Sequence, residues 1–372
     1  MSSDADYKMK KVQSIQYLRA MAALMVVGVH LEQPLRRLGY DGLFPSFLAS
    51  GVDIFFVISG VVMWLSTDGR NVTSGNFLLR RISRIVPMYW LLTAFFTVIL
   101  LVAPGIVSNG KFDISHVVAS FLFIPWAHPS FSGNLFPVLV PGWTINAEMF
   151  FYVVFSVALM LSPRWRVAAV SALFGCLVVA GMVLKPSGSL SFYTNSLFLE
   201  FAIGLLVGQI YTSGYQFGAG VAAKMLLAGV VGLALFPVVE SFWGQIDRLV
   251  VRGLPAALVV CGMIHLERAG AVGEYKTLSF LGDASYSIYL VQPIPLAAWS
   301  FLLARASLFL APATLRIVYV PLALASTMIA GCLAYLLVER PMTDRLLRWC
   351  RPRPATPHGI SQDAAGVSFG GK

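Results

Sequence analysis

Apolar residues along this chain neither alternate with polar ones nor form a single stripe; they gather into unbroken runs separated by short polar stretches. Ten runs approach the roughly 20 residues that an α-helix needs to span a bilayer. They cover 14–32, 50–67, 85–103, 143–162, 167–184, 192–211, 222–239, 248–266, 279–302 and 316–338. A shorter run, 114–126, has Pro, His and Gly around it and reads as a re-entrant or interfacial piece. A transmembrane β-barrel would instead show segments of about ten residues with alternating polarity. The pattern predicts an all-α polytopic membrane protein with about ten transmembrane helices.

Composition narrows this further. Of 372 residues, 58% are hydrophobic and 12% charged, and the mean hydropathy is +0.77. Soluble domains carry about 45–50% apolar and 25% charged residues, so a water-soluble enzyme is excluded. The 26 Phe, 13 Tyr and 8 Trp exclude a disordered chain. Ten spans with short loops leave no length for a second folded domain. The expected division is a cytosolic N-terminal segment over 1–12, a transmembrane domain over 13–345, and a basic, then disordered tail over 346–372. Lys8, Lys10 and Lys11 precede an apolar stretch, as in a signal peptide. That stretch runs on to Leu31, contains Arg19 and lacks a small-x-small cleavage site, which predicts a retained first helix. Cys176, Cys261, Cys332 and Cys350 are scattered, with neither metal-ligand spacing nor a disulfide framework.

The net charge of +10 is explained by orientation. With ten crossings and both termini in the cytosol, 19 of the 27 Lys and Arg residues fall on the cytosolic side. If 114–126 also crossed, the basic tail would face outward. Attraction of that tail to anionic lipid accounts for the remaining basic excess without a nucleic-acid partner.

Charged groups at mid-bilayer cost at least about 2.5–3.5 kcal/mol, so each implies a role. Arg19 and His30 are 11 residues apart, three helical turns plus about 20°, and share one face of the first helix. Such a face suits a long anionic ligand lying along it; the alternative is an arginine snorkelling to headgroups and an interfacial histidine. Asp53 and Glu148 stand near the starts of two helices that enter from the same side as His30. Capping is the expected role for Asp53, whereas Glu148 lies more than a turn inside Trp143. Arg81 and Arg84 would form a guanidinium pair suited to phosphate if their segment is helical, or an ordinary positive-inside stop. Glu200 is deeply placed, followed by Gly204 and Gly208 in a small-xxx-small packing pattern. Tyr286, Tyr289 and Gln292-Pro293 offer a polar edge with a proline break, as a cavity lining would. His116, His128, His265 and His358 read as structural or solvated.

Taken in order, these residues resemble the acyltransferase-3 family of integral-membrane O-acyltransferases. The set is Arg19-x10-His30, the Gly51-to-Gly60 run GVDIFFVISG, Arg81-x2-Arg84 before Pro87, Trp143 to Glu148 with Phe151-Tyr152, Ser285 to Leu290, and Glu339-Arg340-Pro341. The opening Ser14-to-Ala20 stretch is similar to the exopolysaccharide-production acetyltransferase branch. The resemblance covers 13–345. It implies transfer of an acyl group, usually acetyl, from cytosolic acyl-coenzyme A to a hydroxyl of an exopolysaccharide, lipopolysaccharide or lipid-linked sugar. It also implies a bacterial inner membrane and a polysaccharide-biosynthesis machinery as partner. Its functional motif residues carry over to Arg19, His30, Arg81 and Arg84, with Glu148 added. Gln292 stands where many relatives have His, so no acid–base role is expected there.

The mechanism expected from this resemblance has Arg19, Arg81 and Arg84 binding the donor and His30 acting as general base. Glu148 or Asp53 would orient the imidazole, Tyr286, Tyr289 and Gln292 would line the cavity, and no metal takes part. A glycolipid transporter or export component would use similar intramembrane charges without consuming the donor.

Overall fold

A computed structural model describes residues 12–103, 110–244 and 246–349. Nearly all of the expected N-terminal segment, most of the tail from 350 onward, Cys350 and His358 lie outside the described residues. Each of the ten long apolar runs is largely helical. In chain order the helices are α1 (Gln13–Val29), α2 (Glu32–Arg37), α3 (Gly51–Thr67), α4 (Ser74–Val102), α5 (Ile114–Phe121), α6 (Trp143–Ala158), α7 (Pro163–Leu184) and α8 (Ser189–Tyr193). They continue with α9 (Leu197–Thr212), α10 (Ala219–Trp243), α11 (Leu254–Arg268), α12 (Lys276–Val291), α13 (Pro293–Ala306), α14 (Pro312–Ala334) and α15 (Arg340–Trp349). Among the described residues there is no β-strand.

Eight helical stretches are long and apolar enough to cross a membrane, and α12 with α13 makes up to nine. That pair bends by 56° at Gln292-Pro293, because proline cannot donate the hydrogen bond that would carry the helix through. The remaining predicted crossing, 143–162, corresponds to α6. At 16 residues it is about 24 Å long, and Asn146 and Glu148 interrupt its apolar length. The 114–126 run is short, as its flanks imply: α5 has eight residues and gives way to irregular chain at Phe123.

Burial sorts the bundle into a centre and a rim. In α3, 67% of the most apolar window is buried, against 22% in α7, α10 and α14. The last three therefore face lipid, and α3 is the axis on which α1, α6, α9 and α11 pack. The crossing of α3 and α9 is closest at Gly60 and Gly204. A Cβ at Gly204 would stand 2.2 Å from the Val57 carbonyl oxygen, and one at Gly60 would stand 2.2 Å from that of Phe201. The small-residue pattern read at 204 and 208 thus has its counterpart in α3. Gly204→Ala is expected to cost about 1–3 kcal/mol by overpacking, seen as a lower denaturation midpoint in detergent. An unchanged midpoint would show that the two helices can part.

One end of the bundle gathers the start of α1 with the ends of α3, α9 and α11. Gln13 and Ser14 donate main-chain N–H groups to the Glu267 carboxylate at 2.8 and 2.7 Å. The Trp64 indole donates to the Thr212 hydroxyl at 2.8 Å, and Arg268 donates to the Tyr211 carbonyl at 2.6 Å. Arg80, Arg81, Arg268, Arg340, Arg345 and Arg348 lie toward this end, here termed the basic end.

Candidate active site

Three rows of side chains meet inside the bundle. Helical spacing puts Thr144, Glu148 and Tyr152 on one face of α6, Val52, Ser59 and Val62 on one side of α3, and Tyr286 and Tyr289 on α12. Together with Arg19 from α1 and Arg81 and Arg84 from α4, they line a narrow cavity. Its volume of about 100 Å³ admits several water molecules at ~10–15 Å³ each.

The cavity is polar along its length. Ser59 Oγ donates to Glu148 Oε1 at 2.8 Å, and the Tyr152 hydroxyl donates to the same oxygen. Near one end, Tyr289 donates to the Pro141 carbonyl at 2.8 Å and lies 2.8 Å from the Thr144 hydroxyl. Tyr286 donates to the Ile85 carbonyl at 2.7 Å, tying α12 to the turn of α4 that precedes Pro87. Arg81 Nη2 donates to Ser66 Oγ at 3.0 Å, and its Nε is buried without a partner. Among the described residues, Arg19, Arg81 and Arg84 form no ion pair. One half-buried carboxylate, Glu148, therefore faces three guanidiniums in this cavity.

Arg81 and Arg84 also line a wider vestibule of about 600 Å³ at the basic end. Arg80 and Arg340 join them there, with Glu339 set against α12 by Ser287 Oγ at 2.5 Å. A π-helical stretch at Tyr335–Glu339 joins α14 to α15, which supplies this wall. The arginine pair is thus the throat between vestibule and cavity.

Not every predicted residue meets this cavity. His30 caps the C-terminal end of α1, and its side chain lies exposed rather than among the lining residues. Its Nδ1 is 2.7 Å from the Val26 carbonyl, which places the proton on Nδ1 and leaves Nε2 bare. Phe55 and Tyr289, edge to face at 6.2 Å, wall the cavity where α3 and α12 meet. Glu148 is held by Ser59 and Tyr152, not by the imidazole. Gln292 is fully buried at the α12–α13 break, outside the cavity, with its amide unpartnered.

Asp53 lies in the first turn of α3, where a guanidinium takes its carboxylate. Arg248 Nε stands 2.7 Å from Asp53 Oδ1 and 3.6 Å from Glu200 Oε1, and both carboxylates are fully buried. The same guanidinium lies over the rings of Phe56 and Trp143, at 6.0 and 5.8 Å. Arg252, one turn on, covers Phe236 at 4.3 Å. The turn joining these arginines to α11 is π-helical, Leu249–Gly253, and Gly253 leaves room for Glu200, whose Cγ would be 3.0 Å from a Cβ there. From the sequence, Arg248 reads as an outer-loop charge and Glu200 as a deeply placed carboxylate; only the fold joins them to Asp53, with 195 residues between Asp53 and Arg248.

The remaining histidines sit apart. His116 and His128 stack edge to face at 4.9 Å, and His116 is buried against the Phe136 carbonyl at 2.8 Å. His128 Nδ1 accepts main-chain N–H groups of Ser130 and Phe131. Burial and the neighbouring His116 push the His128 imidazole down to about 4, so it stays neutral and structural. His265 is buried against Tyr211 and Phe217. Among the described residues, no group of three or more His, Cys, Asp or Glu could hold a metal.

Comparison with known proteins meets this architecture from another direction. The acyltransferase domain family matches residues 12–336. The exopolysaccharide production protein ExoZ of Rhizobium meliloti is 38% identical over 301 residues, covering 80% of this chain and 90% of the relative. The acyltransferase MdmB of Streptomyces mycarofaciens is 25% identical over 76% of this chain and 78% of its own. The peptidoglycan O-acetyltransferase OatA of Listeria monocytogenes is 22% identical over 78% of this chain, which spans half of that longer protein. No solved structure matches. Matched over most of its length and folded as a multi-pass helical bundle, the chain belongs to the acyltransferase-3 family and is an integral-membrane O-acyltransferase.

Proposed function

We propose that this enzyme takes an acetyl group from acetyl-coenzyme A at its basic, cytosolic end. It delivers the group to a hydroxyl of an exopolysaccharide, lipopolysaccharide or lipid-linked sugar in the bacterial inner membrane, beside the machinery that builds the polymer. The observation that carries this reading is the throat: Arg19, Arg81 and Arg84 without carboxylate partners, between a wide vestibule and a narrow cavity. Unpaired guanidiniums in a low-dielectric interior are costly, and a diphosphate offsets that cost while matching their fork geometry. A slender thioester arm then suits the cavity beyond. The exopolysaccharide and O-acetyltransferase names of the relatives support the acceptor class and the acetyl group.

In this reading each group has a separate task. Arg81 and Arg84 hold the diphosphate, and Arg19 lines the path of the arm. Glu148, fixed by Ser59 and Tyr152, balances part of their charge inside the cavity. His30 Nε2 takes the proton of the acceptor hydroxyl as its oxygen attacks the thioester carbonyl. The C–S bond breaks, and the proton passes to the leaving thiolate, giving the ester and free coenzyme A.

The test is release of free thiol by the purified protein in lipid nanodiscs, given acetyl-coenzyme A and a glycan acceptor. Arg81→Gln and Arg84→Gln are each expected to raise the donor KM about tenfold or more, the equivalent of ~1.4 kcal/mol. Unchanged donor KM values would remove both residues from the phosphate site, and no thiol release would refute the donor.

A further inference from the structure

The trough at the basic end continues beyond the arginines. Asp283, Tyr335 and Arg340 line both the vestibule and a second hollow of about 400 Å³ that follows the first two turns of α12. Lys276, Ser279, Phe280 and Asp283 are spaced i, i+3, i+4 and i+7, which puts all four on the face turned toward it. Its aromatic groups are fixed in advance. Tyr335 meets Phe280 edge to face at 5.9 Å. Tyr275 meets Tyr17 in the same way at 6.0 Å. The Tyr275 main-chain N–H donates to the Tyr17 hydroxyl at 2.7 Å, and that hydroxyl donates to the Gly273 carbonyl at 3.0 Å. With its backbone held, Tyr275 still leaves 60% of its surface exposed.

This combination differs from the throat. Arginines alone suit phosphate, but aromatic walls together with the Glu274 carboxylate suit a flat ring carrying an amino donor. Arg340, at the rim shared with the vestibule, and Lys276, in the lining of the hollow itself, suit an anion attached to that ring system. We propose that this hollow is the nucleoside subsite of the donor. A purine stacks between Tyr275 and the Phe280–Tyr335 pair, Glu274 accepts from its amino group, and a ribose phosphate faces Lys276 and Arg340. The diphosphate then reaches Arg80, Arg81 and Arg84, and the arm enters the cavity. The assignment rests on acyl-coenzyme A being the donor, and it makes the enzyme selective for the nucleotide handle as well as for the thioester.

Two donors separate the possibilities: acetyl-coenzyme A and acetyl-pantetheine, which has the same thioester arm without the nucleotide. Tyr275→Ser, Tyr335→Ala and Arg340→Gln are each expected to lower the ratio of kcat/KM for the first donor over the second by tenfold or more, whereas Tyr275→Phe keeps the wild-type ratio. Adenosine 3′,5′-bisphosphate is expected to compete with acetyl-coenzyme A at concentrations at which inorganic phosphate does not. Tyr275 is largely exposed, and Tyr275→Phe keeps its ring contact with Tyr17; matching elution profiles in detergent show that each variant folds. An active enzyme whose ratio is unchanged in all three variants overturns the subsite and leaves the donor reading standing. A wild-type protein that turns over neither thioester refutes the donor reading, and the subsite falls with it.

Discussion

Replacing His30 by Ala is expected to lower kcat by about 10²–10⁴-fold, the usual worth of a general base, while the donor KM stays within about threefold. The split follows from position. Donor phosphates meet arginines at the basic end, whereas His30 stands about 16 Å further along α1 than Arg19, outside the cavity lining, with Nε2 bare. Glu148→Gln should behave differently. It removes the one negative charge held by Ser59 and Tyr152 inside the cavity, so kcat and donor KM should move together. Steady-state kinetics with both substrates varied separates the two patterns. A His30→Ala enzyme with full kcat would take the imidazole out of the reaction. It would leave the group nearest the acceptor to be sought among Thr144, Tyr289 and Glu148.

Arg248→Met is the second large effect. It strips the partner from two fully buried carboxylates, and breaking a buried ion pair from one side costs about 3–5 kcal/mol. The loss should appear as a sharply lowered denaturation midpoint in detergent and poor recovery from membranes. Adding Asp53→Asn and Glu200→Gln to the same chain removes the uncompensated charge and should restore most of the midpoint, since neutral replacements of comparable volume are tolerated far better than a half-broken pair. The same cluster also fixes the cavity wall, because Arg248 lies over Phe56 and Trp143 and Trp143 opens the helix that carries Thr144 and Glu148. A single Arg248→Met variant with an unaltered midpoint would show that the cluster contributes no stability.

Much of the helical layout is legible in the sequence because lipid imposes a one-dimensional rule: each crossing must be apolar and continuous. The rule weakens at α6, where Glu148 faces the cavity and Asn146 is buried within the bundle. The arginines of the throat are legible as a pair, since three residues on a helix bring Arg81 and Arg84 to one side. Arg19 and Glu148 stand out as charges within apolar runs. What spacing leaves open is which buried charge meets which. Asp53 and His30 lie at similar depth and look like natural partners, yet Asp53 turns to Arg248 on a helix start nearly 200 residues away. Likewise Ser59, which holds Glu148, sits within an apolar run with nothing to mark it until α3 and α6 are side by side. Long-range pairing belongs to packing, not to pattern.

The span between Asp53 and Arg248 has a consequence for biosynthesis. At about 5–20 residues per second, the ribosome completes Arg248 roughly 10–40 s after Asp53. During that interval α3 carries an acidic side chain into the bilayer with its basic counterpart not yet made, and Glu200 then adds a second. The half-finished chain must be sheltered at the insertion site, or hold these groups protonated, until α11 arrives.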